Sequence, residues 1–270
     1  MSGLTFTLRS EPNQRLDLSR LTASHLAGLG EREIGALAIG TSRERLAVGD
    51  VFSIAMGDLG AITFAGGSAR FDGIGEGLDG GTIRVDGPVG QRVGRSMASG
   101  AIVVKGTAGP FAGSGMSGGM LTIEGDAGDD LGGPLAGETM GLRGGTIHVR
   151  GSAGARAGDR MRRGTILIEG DAGDHAGSRM IAGTLVVGGK AGRLPGMLMK
   201  RGTLLLAGGA EAIGPTFLDN GPVDLIVLRL MARAFAAPPF GASLLDGGPM
   251  RRLGGDTAVL GLGEIFLPLG

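Results

Sequence analysis

GTIRVDGPVGQRVGRSMAS (81–99), GAIVVKGTAGPFAGSGMSG (100–118), GTIHVRGSAGARAGDRMRR (145–163), GTILIEGDAGDHAGSRMIA (164–182) and GTLVVGGKAGRLPGMLMKR (183–201) are five 19-residue lines of one pattern. A sixth line, GMLTIEGDAGDDLG (119–132), starts in the same register. It then takes an insertion of 7 residues, about GPLAGET (133–139), and the pattern resumes at Gly145. A degenerate version, GAITFAGGSARFDGIGEGLDG (60–80), precedes the series. Self-similarity at a short fixed period is the mark of a solenoid.

The columns of the repeat say how it turns. Counted from the first Gly as zero, offsets +2 and +4 are apolar throughout, from Ile83 and Val85 to Leu204 and Leu206. A spacing of two puts both side chains on one face of a strand. Offset +16 is Met97, Met116, Leu142, Met161, Met180 and Met199, which reads as core filler. Glycine recurs at +6, +9 and +13, and is expected to supply positive φ at tight corners. The pattern therefore predicts an all-β chain: a right-handed parallel β-helix of about 7–8 coils, some 35–40 Å long at the usual strand spacing. The hexapeptide left-handed helix, with period 18 and an aliphatic residue opening each sixth, does not fit lines that are 19 long and open on Gly.

A solenoid needs covered ends. The expected organisation is an N-terminal cap over 1–56, the β-helix over 57–214, and a C-terminal capping helix and tail over 215–270. In the first, 4–8 reads as a strand, 22–28 and 31–38 as short helices, and VGDVFSIAM (48–56) as a strand. In the last, VDLIVLRLMARAFAA (223–237) is apolar all round without Gly or Pro. It reads as a buried helix closing the far end.

Composition narrows the function. The 58 glycines carry no Gly-X-Y period, so collagen is excluded. Without cysteine the chain has no disulfide and no thiolate metal site. A formal net charge of zero offers no support for nucleic-acid or membrane-surface binding. No signal-like apolar run opens the chain and no 18-residue apolar stretch occurs, so a cytoplasmic location is expected. His25, His148 and His175 show no metal-ligand spacing, and no nucleophile-elbow or phosphate-loop motif is present. The GDAGDD and GDAGDH runs match no calcium loop. No catalytic, cofactor-binding or metal-ligating residue is predicted.

Two charge columns stand out. Offset +5 alternates in sign through Asp86, Lys105, Glu124, Arg150 and Glu169, a device for holding register. Offsets +14 to +18 are basic, and Arg143, Arg160, Arg162, Arg163 and Arg179 are the predicted contact for an anionic tail or a partner.

The repeat G-T-I-x-[IV]-x-G-x-A-G-x-x-x-G-x-x-M-x-x-G resembles the glycine-repeat β-helix shared by the C-subunit of formylmethanofuran dehydrogenase and the C-terminal domain of the large chain of glutamate synthase. The flanking LDLSRLTASHLAGLGEREIGALAIG, GDVFSIAMGD, IGPTFLDNG and GLGEIFLP are similar to the C-subunit family. The resemblance implies the C-subunit of a bacterial formyltransferase/hydrolase complex. Such a complex moves formyl from formyl-tetrahydromethanopterin to a methanofuran-type carrier and hydrolyses it to formate. It implies a non-catalytic scaffold in a hetero-oligomer with a formyltransferase, an amidohydrolase-type hydrolase and a formylmethanofuran dehydrogenase B-like chain. The carrier and the metal ions are expected on those partners. The alternatives it leaves open are the C-subunit of a tungsten or molybdenum formylmethanofuran dehydrogenase and a glutamate synthase-like domain.

Overall fold

The structure is a computed structural model that describes residues 3–42 and 45–269. Its elements, in order, are β1 (Gly3–Leu8), β2 (Leu16–Asp17), α1 (Ala23–Leu26), α2 (Glu31–Gly35), α3 (Val48–Val51), β3 (Phe52–Ala55), β4 (Asp58–Ala65), β5 (Phe71–Asp72), β6 (Asp79–Val85), β7 (Ser99–Val104), β8 (Met120–Ile123), β9 (Thr146–Val149), β10 (Thr165–Ile168), β11 (Thr184–Val187), β12 (Ala191–Arg193), β13 (Arg201–Leu206), β14 (Ala210–Ala212), β15 (Leu218–Val223), α4 (Ile226–Ala236), β16 (Met250–Gly255) and β17 (Leu262–Pro268). Among the described residues strands far outnumber helices. One 13-stranded sheet runs β15-β16-β17-β13-β11-β10-β9-β8-β7-β6-β4-β1-β3.

From β4 to β13 every neighbour is parallel, and equivalent offsets face each other. Ile83 pairs with Ile102, then Leu121, Ile147, Ile166, Leu185 and Leu204. Those residues, the +4 column and the +16 methionines are all buried. A second parallel ladder follows the sheet at offset +8, through Val89, Ala108, Ala127, Ala153, Ala172 and Ala191. Like side chains stack on like, so every repeat contributes the same slice of core.

The glycines divide by cause. Those at +13 do take positive φ, as at Gly94 and Gly113. Those at +6 and +9 do not, which corrects the expectation that they too serve as left-handed corners. They are small because the neighbouring repeat's backbone lies against them. A Cβ on Gly109 would sit 2.8 Å from the carbonyl carbon of Gly90. Positive φ instead recurs at +11 and +15 on residues with side chains, including Arg92, Phe111, Arg156 and His175, then Ser96, Arg160 and Arg179. Alternating conformation lets the corner ladder in both directions. The N–H of Gly113 donates back to Val93 (2.8 Å), while that of Phe111 donates forward to Asp129 (3.0 Å). Gly73-Ile74-Gly75-Glu76-Gly77 is the same corner written in glycine, all three at positive φ.

At the N-terminal end Phe6, Phe52, Phe64 and Phe71 close the interior, with Phe6 and Phe64 stacked at 5.1 Å. The segment 48–51 is a helical turn before β3, where a single strand over 48–56 was expected; the Asp50 carboxylate accepts the Ala47 N–H (2.8 Å) and holds the turn. α1 and α2 are shorter than the predicted 22–28 and 31–38.

The C-terminal helix also differs from expectation. It is not buried all round. Leu228 and Phe235 are buried, whereas Ile226 is 71% exposed and Val227 and Leu230 are also exposed. Its inner side covers Leu167, Val186, Leu205 and Phe266. The first three are +3 residues, which alternate to the opposite face from +2 and +4. The far end of the core is covered instead by β17, which sets Ile265 on Leu204, followed by the antiparallel β16 and β15. No helix among the described residues is long and apolar enough to cross a membrane.

Two glycine substitutions separate crowding from conformation. Gly109→Ala forces the added carbon into backbone and should cost about 1–3 kcal/mol. Gly77→Ala meets nothing within 4 Å and carries only its φ of 67°, so about 1 kcal/mol is expected. Denaturant unfolding of the two variants beside the parent checks the order.

Candidate functional site

The five predicted arginines do not form one continuous track. Arg160 and Arg179 gather around Asp159, whose side chain is almost fully buried. Arg179 forks onto both carboxylate oxygens (Nε to Oδ1 2.9 Å, Nη2 to Oδ2 2.7 Å), and Ser178 adds a hydroxyl at 3.2 Å. Arg160 approaches the same carboxylate at 4.0 Å and donates to the Glu138 carbonyl (3.0 Å). Arg143 donates from two nitrogens to the Gly115 carbonyl (3.3 and 3.2 Å). Arg162 reaches only the Met140 sulfur, at 3.2 Å.

The 7-residue insertion lands on this basic edge and brings its own acid. Arg95 donates to Glu138 (2.8 Å) with one nitrogen and pairs with Glu76 through another. The Leu135 N–H donates to the other Glu138 oxygen (3.1 Å). Burial, the largest influence on Glu138, favours its neutral form. The Arg95 hydrogen bond, the Leu135 N–H and the charges of Arg95 and Arg143 outweigh it and hold the carboxyl below its ordinary range. Arg95 is raised in turn, first by its bond to Glu138. Beside this cluster opens a cavity of about 320 Å³, lined by Ser96, Gly115, Gly137, Glu138, Thr139, Met140 and Arg143.

Arg162 and Arg163 face elsewhere. With Lys200, Arg201, Ile181, Ala182 and Leu260 they line a groove of about 270 Å³. Asp159 and Glu138 were missed as members of the edge. Asp159 sits at offset +14, inside the basic stretch, and sequence position alone did not say that it points at Arg179. Lys200 and Arg201 carry the same offsets, +17 and +18, as Arg162 and Arg163, and belong to the same basic run of the sequence.

The remaining polar residues have structural duties. Lys105 pairs with Glu124, which Arg150 approaches at 3.9 Å, so part of the alternating +5 column is realised. Asp86 takes Arg84 of the same repeat at 2.6 Å. Glu169 takes the buried His148 at 2.7 Å, whose ring meets Phe240 edge-on at 5.7 Å. The GDAGD carboxylates bind backbone of the next repeat: Asp126 accepts the Ser152 N–H, Asp129 that of Ala155, Asp171 that of Lys190 and Asp174 that of Arg193, all at 2.7–2.8 Å. Among the described residues, no three His, Asp or Glu converge as a metal site would require.

Comparison with known proteins fits the repeat geometry. Residues 58–217 match the family described as the GXGXG motif. A solved structure of the formyltransferase/hydrolase complex (FhcABCD) from Methylorubrum extorquens, in complex with methylofuran, contains a chain with TM-score 0.92 and 47% identity to this one. The match covers 98% of this chain and 100% of that chain. The C-subunit of the formyltransferase/hydrolase complex Fhc from the same organism is 49% identical over 89 residues, 33% of this chain. This chain belongs to the C-subunit family of formyltransferase/hydrolase complexes. The 89-residue match spans 34% of that relative's length.

In this member of the C-subunit family the insertion clamp should respond to acid. The Glu138 carboxyl is lowered in the folded chain, so its contribution is complete above the ordinary carboxylate range and is lost as pH falls through the lower folded value. Amide exchange over 133–140, corrected for intrinsic rate, should speed up between about pH 7 and about pH 3. Glu138→Gln should show the fast exchange already at neutral pH.

Proposed function

We propose that this chain is the non-catalytic scaffold of a formyltransferase/hydrolase complex. On this reading it winds as a right-handed parallel β-helix of about 7–8 coils over 57–214, closed by segments 1–56 and 215–270. The complex transfers formyl from formyl-tetrahydromethanopterin to a methanofuran-type carrier and hydrolyses it to formate, in the cytoplasm. The partners are a formyltransferase, an amidohydrolase-type hydrolase and a formylmethanofuran dehydrogenase B-like chain, and they hold the carrier and the metal ions.

The observation that carries the reading is the full-length likeness to a chain of FhcABCD, which spans both ends as well as the repeats. The interior supports it. The +2, +4 and +16 columns are buried against one another and leave the core to apolar side chains. A rigid rod with its chemistry outside suits the task of holding two active sites at a fixed separation. A tethered carrier then meets the second site at high effective concentration. The likeness is to the formyltransferase/hydrolase complex, which favours it over the tungsten or molybdenum dehydrogenase and the glutamate synthase domain.

The arginine edge is the proposed contact for an acidic carrier tail or a partner surface, through Arg143, Arg160, Arg162, Arg163 and Arg179. The test is co-expression with the three other chains of the complex, followed by charge reversal of Arg143, Arg160 and Arg179. The scaffold reading expects the parent chain to copurify in a stable complex that releases formate. The reversed variant should lose assembly, or raise the apparent carrier KM by about tenfold. A parent chain that purifies alone overturns the scaffold role, and unchanged assembly and kinetics at low salt overturn the edge.

A further inference from the structure

Most cations of the corner are already answered within the chain. Arg95 has Glu76 and Glu138, Arg156 has Asp130, Arg179 has Asp159 and Arg193 has Asp174. The groove of Arg162, Arg163, Lys200 and Arg201 is different. No carboxylate lines it, and all four side chains are exposed. Among the described residues none of the four is in an ion pair, and Arg162 has only the Met140 sulfur. Four cations held together without an acid repel one another, which costs least when an anion completes the site.

The geometry describes the anion. Arg162 and Arg163 are offsets +17 and +18 of one repeat; Lys200 and Arg201 are the same offsets two repeats on. Two strand spacings set the pairs about 10 Å apart. The repeat between them contributes Ile181 and Ala182, so the floor between the charges is apolar. Leu260, 56% exposed, forms a further apolar wall. A compact anion such as phosphate spans neither the distance nor the apolar floor. A segment in the polyproline II conformation has three residues per turn and advances about 3.1 Å per residue, so acids three positions apart lie on one side of it, about 9 Å apart.

We infer that this groove is a docking site for an acidic segment of a partner protein in the polyproline II conformation, with carboxylates at i and i+3 on the two cation pairs and an apolar side chain between them against Ile181 and Leu260. The inference rests on the reading of the chain as one member of a larger complex, and sets Arg162 and Arg163 of the proposed edge, with Lys200 and Arg201, apart from the Asp159 cluster and the insertion.

Two measurements test it. A fluorescent heptapeptide with Glu at its first, fourth and seventh positions and Val or Ala elsewhere is titrated into the full chain at low salt. Binding should weaken with salt and fall by about tenfold or more in Arg163→Glu/Lys200→Glu, and by a smaller factor in Arg163→Ala/Lys200→Ala, which adds no repulsion of its own. Equal binding by the variants, no binding by the parent, or displacement of the peptide by lower concentrations of inorganic tripolyphosphate overturns the inference. The second measurement uses the assembled complex. The chain has no cysteine, so Ala182→Cys offers one thiol, on the groove floor, for a short photo-crosslinker. A crosslink to a partner segment rich in Asp or Glu is expected, and an intact complex without one overturns the inference. Failure of the chain to copurify with any partner refutes the scaffold reading instead, and the peptide titration still decides the groove.

Discussion

The backbone-to-backbone contact between successive repeats governs this molecule. Each repeat hydrogen-bonds to the one before it and the one after it at matched offsets, along the sheet, along the alanine ladder and along the corner. A parallel sheet ordinarily needs helical crossovers between its strands. Here the crossover is itself a ladder, so its polar groups are satisfied by the next repeat. The requirement reaches the sequence as the absence of side chains. At +6 and +9 even one carbon collides with a neighbouring peptide unit, and at several +13 positions, such as Gly113 against Ile147, it collides with core aliphatics.

That constraint also explains what was legible. The +2, +4 and +16 columns repeat because each packs on copies of itself, and periodicity exposes such a column directly. The glycines were equally visible, but their meaning was not. Glycine from close approach and glycine from positive φ look identical in a sequence. The corner's left-handed residues were hidden because half of them carry side chains, and most of these are Arg, Ser, Phe or Leu, types that local propensity does not send there. They hold that conformation because hydrogen bonds to both neighbouring repeats over-determine it.

The edge of the molecule was legible only as composition. Arg143, Arg160, Arg162, Arg163 and Arg179 share a run of offsets, yet the fold splits them among the insertion cavity, the Asp159 cluster and the open groove. The split depends on single acids, Asp159 in one repeat and Glu138 in the insertion, that occur once and leave no periodic trace. The C-terminal helix shows the same limit. Its apolar residues suggested burial all round. The +3 residues Leu167, Val186 and Leu205 are the signal that a second layer covers that part of the sheet, since the same offset is Arg84 and Thr122 where the helix is absent.

A stack of near-identical repeats has a hazard of its own. Slipping by one repeat preserves almost every apolar contact, so the core alone distinguishes poorly between the true threading and its neighbours. The insertion removes that degeneracy. Glu138 reaches back to Arg95, 43 positions earlier and two repeats away, while its carbonyl takes Arg160 from the repeat that follows. A threading shifted by one repeat has neither pair. The loop thus acts as an ordinal mark, giving each repeat a fixed place in the count.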